Sequence, residues 1–149
     1  MISSGVNLSS VLSRSYPFLF VDKIIDAAPG QFCHAYKNIS FNEYFFPVHF
    51  PNNPIFPGSL QIEAFTQVAA LALMDVDLSS DEAHGLGENY LLASVDKTRF
   101  YQSVTPGDRF EILAEVKKNN LGIAIIGVVG SVNDTKVSEC TLTYKIMEN

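Results

Sequence analysis

Hydrophobic and polar residues alternate most cleanly in the last third of the chain. Within residues 110–117, Phe110, Ile112, Ala114 and Val116 share one face, while Glu111, Glu115 and Lys117 share the other. That period of two predicts a half-buried antiparallel strand. Asn119-Asn120 and Asn133-Asp134 bracket residues 121–132, which carry no charge and suit a central strand, and residues 136–146 alternate again. Nearer the start, residues 18–25 are rich in aromatic and β-branched side chains and read as a strand. Pro29-Gly30 marks a turn, and residues 31–39 complete a hairpin. Residues 6–12 predict a short helix, broken by Tyr16-Pro17.

Residues 59–74 follow a different rule. They are helix-tolerant and apolar around nearly the whole circumference, and Glu63 is their only charge. A helix with no polar face is a buried helix. The predicted architecture is α+β: a curled antiparallel sheet wrapped around one long central helix. A membrane span is the competing reading of so apolar a segment. It fails on length, because residues 64–74 and 121–132 fall short of the ~20 needed.

Composition narrows this picture. The 149 residues predict one domain, 1–149, and 47% hydrophobic with 17% charged residues excludes wholesale disorder. A formal net charge of −6 argues against a general nucleic-acid binder. Five of the acids, Asp75, Asp77, Asp81, Glu82 and Glu88, lie in one stretch without Lys or Arg, so the remaining surface is nearly neutral. Cys33 and Cys140 are too few for a disulfide framework and read as reduced, buried thiols. Met1–Gly5 has neither the basic nor the apolar region of a secretory leader, so a cytoplasmic location is expected. His34 and His84 have no partners at metal-ligand spacing, and no nucleotide or flavin motif is present, so no metal and no cofactor are expected.

The candidate chemistry sits at the start of the apolar helix. Burying an ionised carboxylate without partners is costly, which makes Glu63 the most informative residue in the sequence. Gln67, one turn later on the same face, is placed to hold it by a hydrogen bond. Upstream, residues 46–58 hold four of the seven prolines and His49. Repeated fixing of φ makes this loop stiff and unsuited to helix or central strand. It ends in Pro57-Gly58, so the Gly58 N–H points into the space ahead of the helix, where a polarised carbonyl oxygen can be held.

His49-Phe50-Pro51, Pro54-Ile55-Phe56-Pro57-Gly58 and Glu63-Ala64-Phe65 with Gln67 together resemble the signature of FabZ-type 3-hydroxyacyl-ACP dehydratases. Further similarity runs along nearly the whole chain, through Tyr16–Lys23, Lys37-Asn38, Asn42-Glu43, Val95–Phe100 and Pro106-Gly107-Asp108. Two positions depart from the family pattern: Val48 stands where a glycine usually precedes the histidine, and Arg14-Ser15 replaces the usual His-Arg.

The resemblance implies a hotdog fold, which agrees with the sheet-and-helix reading. It implies dehydration of a 3-hydroxyacyl thioester to the trans-2-enoyl thioester in fatty-acid or related acyl-chain synthesis, with acyl-carrier protein as partner. His49 is then the base, Glu63 the acid, the Gly58 N–H the binder of the thioester carbonyl, and Gln67 a support. Phe50, Phe56 and Phe65 are candidates for lining an acyl tunnel, with Tyr90 as its gate, although core filling suits most of the phenylalanines better. Lys97, Arg99 and Arg109 are candidate docking residues for an acidic carrier, and Arg14 and Lys23 are weaker ones. In the family each site joins His from one subunit and Glu from another, so a homodimer or trimer of dimers is expected. Two other readings stand beside this one: a hotdog acyl-thioesterase, and a non-catalytic acyl-thioester-binding subunit.

Overall fold

The computed structural model describes residues 5–147, so most of the stretch read for a leader, residues 1–4, lies outside the described residues. Helix α1, Leu8–Leu12, is capped by Asn7, whose side chain accepts the Ser10 N–H at 3.1 Å. Strands β1, Lys23–Ala28, and β2, Phe32–Asn38, form the expected hairpin around Pro29-Gly30. Residues 39–57 form no regular element, as their prolines dictate, and lead into helix α2, Gly58–Leu73. After two short 3₁₀ turns come β3, Tyr90–Phe100, β4, Arg109–Asn120, β5, Ile123–Val132, and β6, Thr135–Ile146.

All six strands form one antiparallel sheet in the order β1-β2-β4-β5-β6-β3. The alternation read from the sequence is the one the sheet uses. Cys33 and Ala35 of β2, Phe110, Ile112 and Ala114 of β4, and Ala124, Ile126 and Val128 of β5 are all buried. Helix α2 lies across the sheet, chiefly on β4 and β2, and buries Ala64, Phe65, Val68, Leu71 and Leu73 among others. Each large side chain so buried contributes about 1.5–3 kcal/mol, which holds the helix in place without any polar stripe. No helix among the described residues is long and apolar enough to cross a membrane. Gly130 is forced by this packing, since a Cβ there would stand 2.6 Å from the Phe110 ring. Both cysteines are free and buried, and burial pushes each thiol up to about 12.

Three features differ from the sequence reading. The first strand begins at Lys23, so most of residues 18–25 lie outside it. The backbone of Phe18 and Phe20 is satisfied by a side chain instead of a ladder: Gln67 accepts the Phe20 N–H at 2.8 Å and donates to the Phe18 carbonyl at 2.8 Å. The turn before β5 is Leu121-Gly122 and not Asn119-Asn120. Both turn residues have positive φ, as a two-residue hairpin loop requires, and Asn120 pairs with Ile123 in the ladder. Finally, β3 had no signal in the hydrophobic pattern. None of its eleven residues is buried, and its register shifts between Leu92 and Ser94 and again between Asp96 and Arg99.

Candidate active site

Glu63 sits in the second turn of α2 and is half-buried, not enclosed as the apolar helix had suggested. Gln67 explains how it is held. The Gln67 amide nitrogen donates to Glu63 Oε1 at 3.0 Å while the same side chain grips the backbone of Phe18 and Phe20. One carboxylate oxygen is thereby fixed, and Glu63 lines a cavity. That cavity has a volume of about 160 Å³ and is also walled by Arg14, Thr66, Tyr90, Leu92 and Tyr144. Burial raises the Tyr90 phenol, with the negative charge of Asp75 adding to it, and burial also raises Tyr144. Both are therefore neutral hydroxyls at neutral pH. Tyr144 donates to the Thr66 carbonyl at 2.7 Å, which ties β6 to the helix beside Glu63.

His49 is set by its own loop. Its Nδ1 lies 2.8 Å from the Ile55 carbonyl oxygen, and its backbone carbonyl accepts the Ile55 N–H at 3.0 Å. A carbonyl can only accept, so Nδ1 carries the proton, and in the neutral ring Nε2 keeps its lone pair. The Phe50 ring stacks on the imidazole with centroids 4.1 Å apart and is itself half exposed. The loop is fastened below by Phe45 and Phe56, which stack at 5.4 Å, and by the Phe56 N–H donating to the Val104 carbonyl at 2.8 Å. Val48 is 75% exposed, so its side chain points away from the loop's interior and does not crowd the histidine.

At the head of α2 the Pro57 carbonyl takes both the Leu60 and Gln61 N–H groups, at 3.0 and 2.9 Å, and no side chain caps the helix. The N–H groups of Gly58 and Ser59 stand at the open end, where the helix dipole favours a partly negative oxygen. A Cβ on Gly58 would meet the tip of the Phe100 ring at 2.9 Å, and that half-exposed ring would have to shift to admit it.

Of the remaining predicted residues, Tyr90 does line the Glu63 cavity. Phe56 and Phe65 do not. Both are fully buried and pack on Phe110, at 5.8 and 5.9 Å between centroids, so they fill the core and are not on the wall of that cavity. Lys97 and Arg99 are exposed on β3, on the same strand as Phe100, and Arg99 stands opposite Glu139 in the ladder. Arg109 lies over the Tyr36 ring, 3.8 Å from its centroid. Arg14, Thr66, Tyr144 and the Ile55 carbonyl were not singled out from the sequence for the cavity or the imidazole. Tyr144 had a detectable signal, being the polar-tipped residue on the inward face of an alternating strand.

His49 is not among the residues that line the Glu63 cavity within one copy of the chain. A curled antiparallel sheet wrapped round one long helix defines a hotdog fold. The FabA-like domain family matches residues 12–141, and the chain belongs to that family. It is 36% identical to the 3-hydroxyacyl-acyl-carrier-protein dehydratase FabZ of Clostridium novyi, over 93% of this chain and 94% of that protein. The dehydratase of the same name from Mannheimia succiniciproducens is 41% identical over 91% and 87% of the two chains. Among solved structures, a chain of the dehydratase heterocomplex ApeI:P from Xenorhabdus doucetiae superposes with a TM-score of 0.70 at 14% identity, covering 95% of this chain and 91% of that one. A sigma28-regulated virulence protein from Campylobacter jejuni gives 0.68 at 16% identity, covering 95% and 96%. At such identities these two structures establish the fold.

Proposed function

We propose that the protein is a 3-hydroxyacyl-acyl-carrier-protein dehydratase of fatty-acid synthesis, working as a homodimer whose sites combine His49 of one copy with Glu63 of the other. The observation that carries this reading is the Nδ1 bond of His49 to the Ile55 carbonyl, which leaves Nε2 as a fixed base. Separation of His49 from the Glu63 cavity supports the shared site. So does β3, an edge strand with Leu91, Leu92, Val95 and Phe100 exposed, which has no strand on its outer side among the described residues.

The chemistry follows from the groups in place. His49 Nε2 takes a proton from C2 of the acyl chain, and negative charge passes toward the thioester oxygen, held by the Gly58 N–H. The electron pair then forms the C2–C3 double bond as the C3–O bond breaks. Glu63 protonates the departing hydroxyl from Oε2, releasing water, and proton transfer from the imidazolium to the carboxylate resets the pair. The positive side chains of Lys97 and Arg99 are exposed on β3, Lys97 in a groove with Glu115, Lys117 and Glu139, and they suit an acidic carrier. Two free buried thiols suit a cytoplasmic, reducing setting.

The reading is tested by steady-state assay of a short and a long 3-hydroxyacyl-acyl-carrier protein, with products identified by mass spectrometry. A mass loss of one water is expected, and release of free thiol in its place would mark a thioesterase. Lys97→Glu should raise KM severalfold for the carrier-bound substrate and leave KM for a small thioester unchanged. Equal changes in both would count against docking there.

A further inference from the structure

Lys37 is a cation that the proposed chemistry does not use, yet it points inward from β2 on the same face as Cys33 and Ala35 and is only 7% exposed. Its ammonium lies 3.0 Å from Glu43 Oε2 at the start of the proline loop. Glu43 keeps 20% of its side chain exposed, but taking the Lys37 charge out of water is costly, and replacing such a pair by apolar residues of similar size often leaves a protein as stable or more so. The pair is therefore poorly explained by stability. A chain of main-chain bonds connects Glu43 to the backbone of His49: the Glu43 carbonyl accepts the Phe46 N–H at 3.3 Å, and the Phe46 carbonyl accepts the His49 N–H at 3.3 Å.

We propose that the ion pair of buried Lys37 with partly exposed Glu43 is a positioning device that sets the proline loop so that His49 keeps its Nδ1–H on the Ile55 carbonyl and its Nε2 toward substrate. The pair touches no reacting atom. It acts by fixing where Glu43, and with it the turn carrying Phe46 and His49, leaves β2. The catalytic part of this inference rests on the dehydratase reading above; the tautomer part does not.

The test is the double variant Lys37→Met with Glu43→Met, which removes both charges and keeps apolar volume. Its melting temperature should equal or exceed that of the wild type. Its kcat should fall between about tenfold and a hundredfold, as a misplaced catalytic group does, with KM changed less than about twofold. Nitrogen-15 shifts of His49, assigned by comparison with His49→Ala, should show a single Nδ1–H tautomer in the wild type and a mixture in the variant. Glu43→Gln, which keeps a hydrogen-bond acceptor, provides the same comparison if the double variant does not fold. A folded variant with the wild-type tautomer and kcat within twofold would overturn the proposal. If the wild type proved to remove no water, the dehydratase reading would fall while the tautomer comparison still decided the role of the pair.

Discussion

Helix α2 and strand β3 border the same cavity, yet they are completed by different means. Ten of the sixteen residues of α2 are buried by this chain alone, whereas none of the eleven in β3 is. The helix carries Glu63 on a platform that the single chain finishes. The strand supplies Tyr90, Leu91 and Leu92 to the cavity and leaves them partly or largely in water. The contrast separates two parts of the cavity wall: the helix fixes where the acid is, and the strand leaves its side chains open to solvent.

The largest expected effect is on turnover. Glu63→Gln and His49→Ala should each lower kcat by about 10²–10⁴, the range for loss of a general acid or base, with little change in melting temperature. Retention of near-wild-type rates by either would remove that residue from the mechanism. Next comes the helix itself: Phe65→Ala, in a fully buried position stacked on Phe110, should cost about 3–5 kcal/mol in urea unfolding. On β3 the outcome should be the reverse. Leu92→Glu, at a position 44% exposed, should change the unfolding free energy of the single chain by less than about 1 kcal/mol but abolish the dimer in sedimentation velocity. A large loss of chain stability there would erase the contrast with α2.

The smallest effect lies at alkaline pH. Burial raises the Cys33 and Cys140 thiols from 9.0 to about 12, so the folded state favours their protonated forms. Their contribution to stability is complete below pH 9 and lost as pH rises toward 12. The melting temperature should fall across that window, and Cys33→Ala with Cys140→Ala should flatten the fall.

The same contrast accounts for what the sequence made legible. Helix α2 stood out because sixteen residues with one charge have a single physical solution. The strands β4, β5 and β6 were legible because each has one face on the core and one outside. Strand β3 has no buried face, and its two register shifts break any period, so pattern reading had nothing to detect. Phe18 to Phe20 misled for a different reason. Their composition is that of a strand, but a side chain forty-seven residues away in sequence from Phe20 supplies the hydrogen bonds. For the candidate site, His49, Gly58, Glu63 and Gln67 could be singled out because stiff prolines, a helix head and a lone acid are local signals. The Ile55 carbonyl that sets the imidazole was not, since any residue can provide a carbonyl and only the loop geometry selects this one. The packing of Phe56 and Phe65 on Phe110 of β4 was not legible either, because that partner comes from a distant strand.

The shared site is tested most directly by mixing two inactive proteins. His49→Ala and Glu63→Gln, unfolded together and refolded, should form heterodimers in which one of the two sites has both native groups. With random pairing, dehydration of a 3-hydroxyacyl-acyl-carrier protein should return to about a quarter of the wild-type rate. A mixture that forms dimers and stays as inactive as its two components would contradict the account.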